Sequence, residues 1–135
     1  MKKGTCKPES RSGTAAVEAA ITLPLLLVLV FGSIEASNAI FLKQSITIAA
    51  YEAAKAASSP NGTDQFATVR CAEALAVRDI TSFNVTFSPS NIDINTARGT
   101  RISVTVTIDA SSAALGPLWV FSGKNLTKKV EMVRL

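Results

Sequence analysis

The sequence contains no histidine, which removes the commonest general base and the commonest metal ligand. Its two cysteines, Cys6 and Cys71, are far apart and its acids are scattered, so no group of side chains has metal-ligand spacing. The 7 glycines form neither a phosphate-binding loop nor a dinucleotide fingerprint. Serine and threonine are plentiful, but no histidine or suitably spaced lysine could activate them. These absences predict a chain that is not an enzyme. They predict no catalytic residue, no metal, no cofactor and no small-molecule substrate.

Charge is missing from one long stretch. Between Glu18 and Glu35 lie 16 residues without a charged side chain, rich in Leu, Val, Ile, Ala and Phe. That is slightly short of the roughly 17–25 apolar residues of a membrane span. Thr14 to Val17 extend the run if a partner neutralises Glu18. An acid at the edge of such a run is expensive to bury, so Glu18 is a functional candidate. Ahead of it, Lys2, Lys3, Lys7 and Arg11 outnumber Glu9. This excess predicts a cytoplasmic N-terminus and a single-pass chain whose remainder lies outside the cytoplasmic membrane.

With that topology Cys6 and Cys71 fall on opposite sides of the membrane and cannot pair within one mature chain, so this is no disulfide scaffold. Cys71 reads as a small buried residue; pairing between chains is the alternative. Cys6 is not a lipid-attachment cysteine, because no apolar segment precedes it. The net charge of +4 is spread thinly. Only Lys124, Lys128 and Lys129 cluster, without interleaved aromatics, which argues against a nucleic-acid surface.

The apolar pattern continues past Glu35 through Ala36, Ala39, Ile40, Phe41 and Leu42, then narrows to a stripe. Leu42, Ile46, Ala49, Ala53 and Ala57 are spaced as the buried face of an amphipathic helix, with Tyr51, Glu52 and Lys55 off that face. One helix is predicted from about Thr14 to Ala57, roughly 65 Å long. Pro24 lacks a backbone N–H and predicts a kink or loosening, which a hydroxyl such as Thr22 could relieve. Ser58-Ser59-Pro60-Asn61-Gly62 ends the helix with a concentrated turn signal.

Beyond the turn, Asp64 is the predicted N-cap of a second helix ending near Asp79, with Phe66, Val69, Ala72, Ala76, Val77 and Ile80 on one side. After Ser82 the period changes to two. Phe83, Val85 and Phe87 predict one strand, ended by Pro89, and Ile102, Val104, Val106 and Ile108 a second. The loop between them, Ser88 to Thr100, is polar, with Arg98-Gly99 as a turn. Ala110 to Gly123 is a connection containing Pro117 and Trp119, and Leu126 to Arg134 a last strand. Asn61-Gly62-Thr63, Asn84-Val85-Thr86 and Asn125-Leu126-Thr127 match the glycosylation pattern, but it is short and they are read as structural. The fold class is α+β: a long N-terminal transmembrane and amphipathic helix, a second helix, and a small antiparallel sheet with one face on the long helix. Residues 1–13 form the basic leader, 14–58 the long helix with a transmembrane N-terminal half, and 59–135 the small exported domain.

The remaining constellation is Gly13, Glu18 five residues later, and Ala20-Ile21-Thr22-Leu23-Pro24-Leu25-Leu26-Leu27. It resembles the N-terminus of TadE-like proteins, the pseudopilins or minor pilins of the tight-adherence (Flp) type IV pilus system. The resemblance is close over Arg11 to Glu35 and loose elsewhere, including the Arg101 to Ile108 strand and the closing Val130 to Arg134. It implies cleavage by a membrane aspartic peptidase, the prepilin peptidase, at the Gly13–Thr14 bond. It makes Glu18 the fifth residue of the mature chain, matching the acid that pilin-type subunits carry there. Other implied partners are pilin and pseudopilin subunits and the pilus assembly platform in the cytoplasmic membrane. Ala19 stands where major Flp pilins have an aromatic, and those pilins are much shorter, so a minor subunit fits better.

The chemistry agrees with that implication. Glycine before the scissile bond offers no Cβ and permits an extended or turned backbone. Cleavage would create an ammonium at Thr14, which the Glu18 carboxylate of a neighbouring subunit could pair. Removing one member of such a pair in low dielectric leaves a buried charge costing about 3–5 kcal/mol. Three readings differ in the mature N-terminus: Thr14 for a processed pilin, near Ile40 for a secreted module cut around Ser37-Asn38-Ala39, and Met1 for an unprocessed signal anchor. In the last of these, Glu18 merely snorkels toward lipid headgroups.

Overall fold

Helix α1 runs without interruption from Ser12 to Ser58, 47 residues, in the computed structural model of this chain. The structure describes residues 12–109 and 124–135. The basic leader with Cys6, and the connection from Ala110 to Gly123, lie outside the described residues. At 1.5 Å per residue α1 is about 70 Å long. It continues through Pro24. Several of its hydroxyls bond within the helix: Ser37 donates to the Ser33 carbonyl at 2.9 Å, Ser45 to Phe41 at 2.9 Å and Thr47 to Lys43 at 2.8 Å. Such bonds let small polar residues sit in an apolar helix without unpaired groups.

The two halves of α1 differ sharply. From Gly13 to Phe41 the side chains are almost all exposed, Leu23 to Val30 among them, and Glu35 is the buried exception. It is the one helix among the described residues long and apolar enough to cross a membrane. The second half packs. Leu42, Ile46, Ala49, Ala53 and Ala57 are buried, as their spacing predicts, and Ala50, Ala54 and Ala56 are buried with them. The buried arc is wider than one stripe because α1 contacts the second helix as well as strands of the sheet.

That second helix, α2, spans Asp64–Ala76 and corrects the sequence reading in three respects. Its N-cap is Thr63, extended at φ −127° and ψ 158°, whose hydroxyl accepts from the Phe66 N–H at 3.1 Å. Asp64 instead lies in the first turn, where its carboxylate accepts from the Gln65 N–H at 2.7 Å and faces the positive end of the helix dipole. The helix also stops at Ala76, before a turn in which Asp79 adopts φ 56°. The third correction concerns its face. The buried residues are Ala67, Cys71 and Leu75, whereas Phe66 and Val69 are about half exposed and Val77 is 85% exposed. The α1 surface that α2 meets is built of alanines, and close approach of two backbones needs small side chains on both helices. Ala67 and Cys71 meet that need; Phe66 would not.

Strands β1 (Phe83–Ser88), β2 (Arg101–Asp109) and β3 (Asn125–Val133) form an antiparallel sheet in that order. Val85 faces Val106 and Val104 faces Val130 across the ladders. Ile102, Val104, Val106 and Ile108 of the central strand are fully buried against the alanine face of α1, with Leu126, Val130 and Met132 of β3 partly buried beside them. The outer face is polar, as where the Thr107 and Thr127 hydroxyls meet at 3.1 Å. Ile92, from the loop after β1, completes the core at 1% exposure, and Gly99 takes φ 80° in the turn before β2. The architecture is α+β, as predicted. Where β3 ends, Arg134 is 3% exposed and folds its guanidinium onto backbone carbonyls at the end of α1 and in the turn that follows it.

Candidate functional site

Gly13, Thr14, Glu18 and Pro24 all lie on the unpacked half of α1, and each is exposed. They lie in the first turns because the small, weakly polar Ser12 to Val17 segment continues straight into the apolar run. The Gly13–Thr14 bond lies within α1, at the edge of the described residues. A Cβ built on Gly13 would meet nothing within 4 Å. Among the described residues nothing therefore requires glycine at this position. In a helix glycine is about 1 kcal/mol worse than alanine, so its presence calls for a reason outside the fold.

Thr14 and Glu18 are four residues apart and share one face of α1, a single turn from each other. Glu18 is exposed on a helix flanked by apolar side chains, with Val17 60% and Ile21 71% exposed. An aqueous setting would suit the carboxylate but not its neighbours; a bilayer would suit the neighbours but not the carboxylate. Glu35, at the far end of the charge-free run, is treated differently and is 7% exposed. Its burial has no signal in the sequence, where Glu35 only closes the charge-free run.

Elsewhere the chemistry is quiet. Among the described residues no three of Asp, Glu, Cys or His stand close enough to hold a metal ion. Cys71 is a free thiol with no exposed surface, and burial pushes its pKa from 9.0 to about 11. Lys129 hydrogen-bonds Glu131 at 2.7 Å on the outer face of β3 and lowers that carboxyl below its ordinary range. Such exposed pairs contribute little to stability.

The residues that carry this geometry are also those that compare with known proteins. Residues 13–55 match the model of one family, described as TadE-like protein. Over this segment the chain is similar to TadE-like proteins. The match opens on Gly13, includes Glu18 and Pro24, and closes at Lys55, near the end of α1. It covers roughly a third of the sequence and leaves α2 and the sheet unmatched. No curated protein and no solved structure matches the chain. The TadE-like segment and its membrane-compatible helix together support a membrane protein associated with the tight-adherence pilus system.

Proposed function

We propose that this chain is a minor pilin or pseudopilin that acts in assembly of a tight-adherence type IV pilus, without enzymatic activity of its own. It inserts in the bacterial cytoplasmic membrane with its N-terminus inside, and the prepilin peptidase cuts it after Gly13. Its partners are other pilin-type subunits and the assembly platform. The observation that carries this reading is the TadE-like match, which opens on Gly13 five residues before Glu18.

Two physical points support it. Gly13 has open space around it, so a small residue there answers a peptidase better than it answers the fold. Between Glu18 and Glu35 α1 is apolar on all sides, and its side chains are almost all exposed among the described residues, as suits a helix passed from lipid to a bundle of similar helices. In that bundle Glu18 of one subunit pairs with the Thr14 ammonium of the next and sets their register.

The test is the mature N-terminus, sequenced from cells that hold the cognate peptidase. A chain beginning at Thr14 supports the reading. One beginning at Met1 would make the protein an unprocessed signal anchor, and one beginning near Ile40 a secreted module.

A further inference from the structure

The pairing of α1 with α2 leaves a group of side chains that pilus assembly does not use. Arg70 of α2 reaches Glu52 at 3.9 Å, and further along the chain the Arg78 guanidinium lies 5.2 Å over the Phe41 ring. Numbers rise along α2 as they fall along α1, so the helices are antiparallel and the C-terminal end of α2 points back toward the apolar half of α1. About 20 residues cross a hydrocarbon core of roughly 30 Å, so a span that starts at Ala19, just past Glu18, ends near Asn38, with the buried Glu35 shielded inside it. The headgroup layer, about 5–7 Å on each side, takes some four residues more. Ile40 and Phe41, and Arg78 above Phe41, then stand in that layer.

Other residues at this level suit the same surroundings. Val77, next to Arg78, is 85% exposed, the most exposed large apolar side chain among the described residues. Ile40 is 58% and Phe41 48% exposed. Lys43, two residues past Phe41, is exposed, and Asp79 is the one acid in the turn after α2. Apolar side chains interleaved with long cationic ones match an interface, where the aliphatic stems lie in the lipid and the charged heads reach the phosphates.

We propose that this end of the exported domain rests on the bilayer. Val77, Ile40 and Phe41 enter the interfacial layer, and Lys43 and Arg78 sit against the phosphates of anionic lipids. The inference rests on the membrane-spanning reading of α1. Lipid is the occupant because α1 itself enters the bilayer at this level, which brings the membrane surface to Val77 whatever else the domain binds. A cation stacked over an aromatic ring at the exit of a span also holds the domain at a fixed depth. The chain would then not stand off on a free stalk.

The experiment places an environment-sensitive fluorophore on Val77→Cys, Gln65→Cys or Leu27→Cys in the full chain, in a Cys6→Ser, Cys71→Ala background with its fold checked by circular dichroism. The proteins are reconstituted in vesicles of phosphatidylcholine alone, or with roughly a third phosphatidylglycerol. Quenching by lipids brominated high on the acyl chain should be about threefold greater at position 77 than at position 65. Position 65 lies at the opposite end of α2. Reversing Lys43 and Arg78 to Glu should cut the quenching at 77 about twofold in the anionic vesicles. Emission shifted to the blue at 77 without lipid quenching would mean a protein neighbour and overturn the proposal. Equal, water-like signals at 77 and 65, with Leu27→Cys quenched by deeply brominated lipid, would overturn the docking while keeping the span. No quenching at position 27 would overturn both. Quenching at 77 that ignores lipid charge and charge reversal would overturn the roles given to Lys43 and Arg78.

Discussion

The Arg134 guanidinium donates to the Ala57 carbonyl at 2.6 Å, tying the end of β3 to the last turn of α1. The same side chain donates to the carbonyls of Gly62 at 2.9 Å, Pro60 at 3.1 Å and Asp93 at 3.0 Å. The acceptors are backbone oxygens of the last turn of α1, of the turn after it and of the loop before β2; that of Asp93 also accepts from the Thr96 N–H at 3.1 Å. A cation at the C-terminal end of α1 also answers the negative end of the helix dipole. One planar fork thus orients α1, the following turn and the sheet relative to one another.

Arg134→Ala is expected to lower the stability of the domain by about 3–5 kcal/mol, since it removes all of these charge-assisted bonds at once. Arg134→Lys keeps the charge but not the fork and should cost about 1–3 kcal/mol. Urea unfolding in detergent, followed by circular dichroism, measures both. A change for Arg134→Ala of less than about 0.5 kcal/mol would show that water replaces these bonds freely.

Gly62 and Gly13 make opposite predictions from the same substitution. A Cβ on Gly62 would collide with the Ala56 carbonyl oxygen and meet that of Ala57 at 2.6 Å, both rigid backbone atoms. Gly62→Ala should therefore destabilise by about 2–4 kcal/mol. Gly13→Ala should leave the domain unchanged or strengthen the helix by up to about 1 kcal/mol, yet slow maturation. Co-expression with the peptidase and a band-shift comparison reads the second effect. If even Gly13→Val matures normally, the cut is not at this bond.

Much of the fold was legible because the signals were redundant. The stripe from Leu42 to Ala57 and the alternation of Ile102 to Ile108 each repeat one period several times, and both faces are buried as their periods require. The face of α2 was not legible. Phe66 and Val69 compete there with Ala67, Cys71 and Leu75, and the choice depends on the alanines of a helix remote in sequence. Ile92 and Arg134 were missed for a related reason, since a lone residue has no period and its partners come from turns far along the chain. Gly13 and Glu18 are the reverse case. Their spacing is visible in the sequence, and the fold adds only that no tertiary packing demands them.

Cys71 gives a pH prediction whose sign follows from burial. Its folded pKa, about 11, lies above the ordinary 9.0, so the folded state holds the thiol proton more tightly than the unfolded chain does. The associated stability is complete below pH 9.0 and is lost as pH rises toward about 11. At pH 8 the thiolate fraction, and hence labelling by a thiol reagent, should be about a hundredfold below that of an ordinary cysteine, before any steric protection. Labelling in detergent at native and denaturing urea checks this. Fast labelling of the native protein would show that the α1–α2 contact opens readily and revive the reading of Cys71 as a link between chains.

Glu18→Gln separates processing from assembly. The substitution keeps the shape of the side chain and removes its charge. The variant should insert, because an amide costs less in the bilayer than a carboxylate. It should still be cleaved, because Gly13 and the leader are unchanged. It should not be recovered at normal levels in sheared pili or crosslinked pilus complexes, because the Thr14 ammonium of a neighbour loses its counter-charge. At about 3–5 kcal/mol for a buried unpaired charge, the loss of incorporation should exceed a hundredfold. If Glu18 only reaches for lipid headgroups, incorporation should match wild type. Pili that contain the variant at undiminished levels would remove the pairing role while leaving the cleavage site untouched, and the N-terminal sequence of the recovered subunit would then decide that question separately.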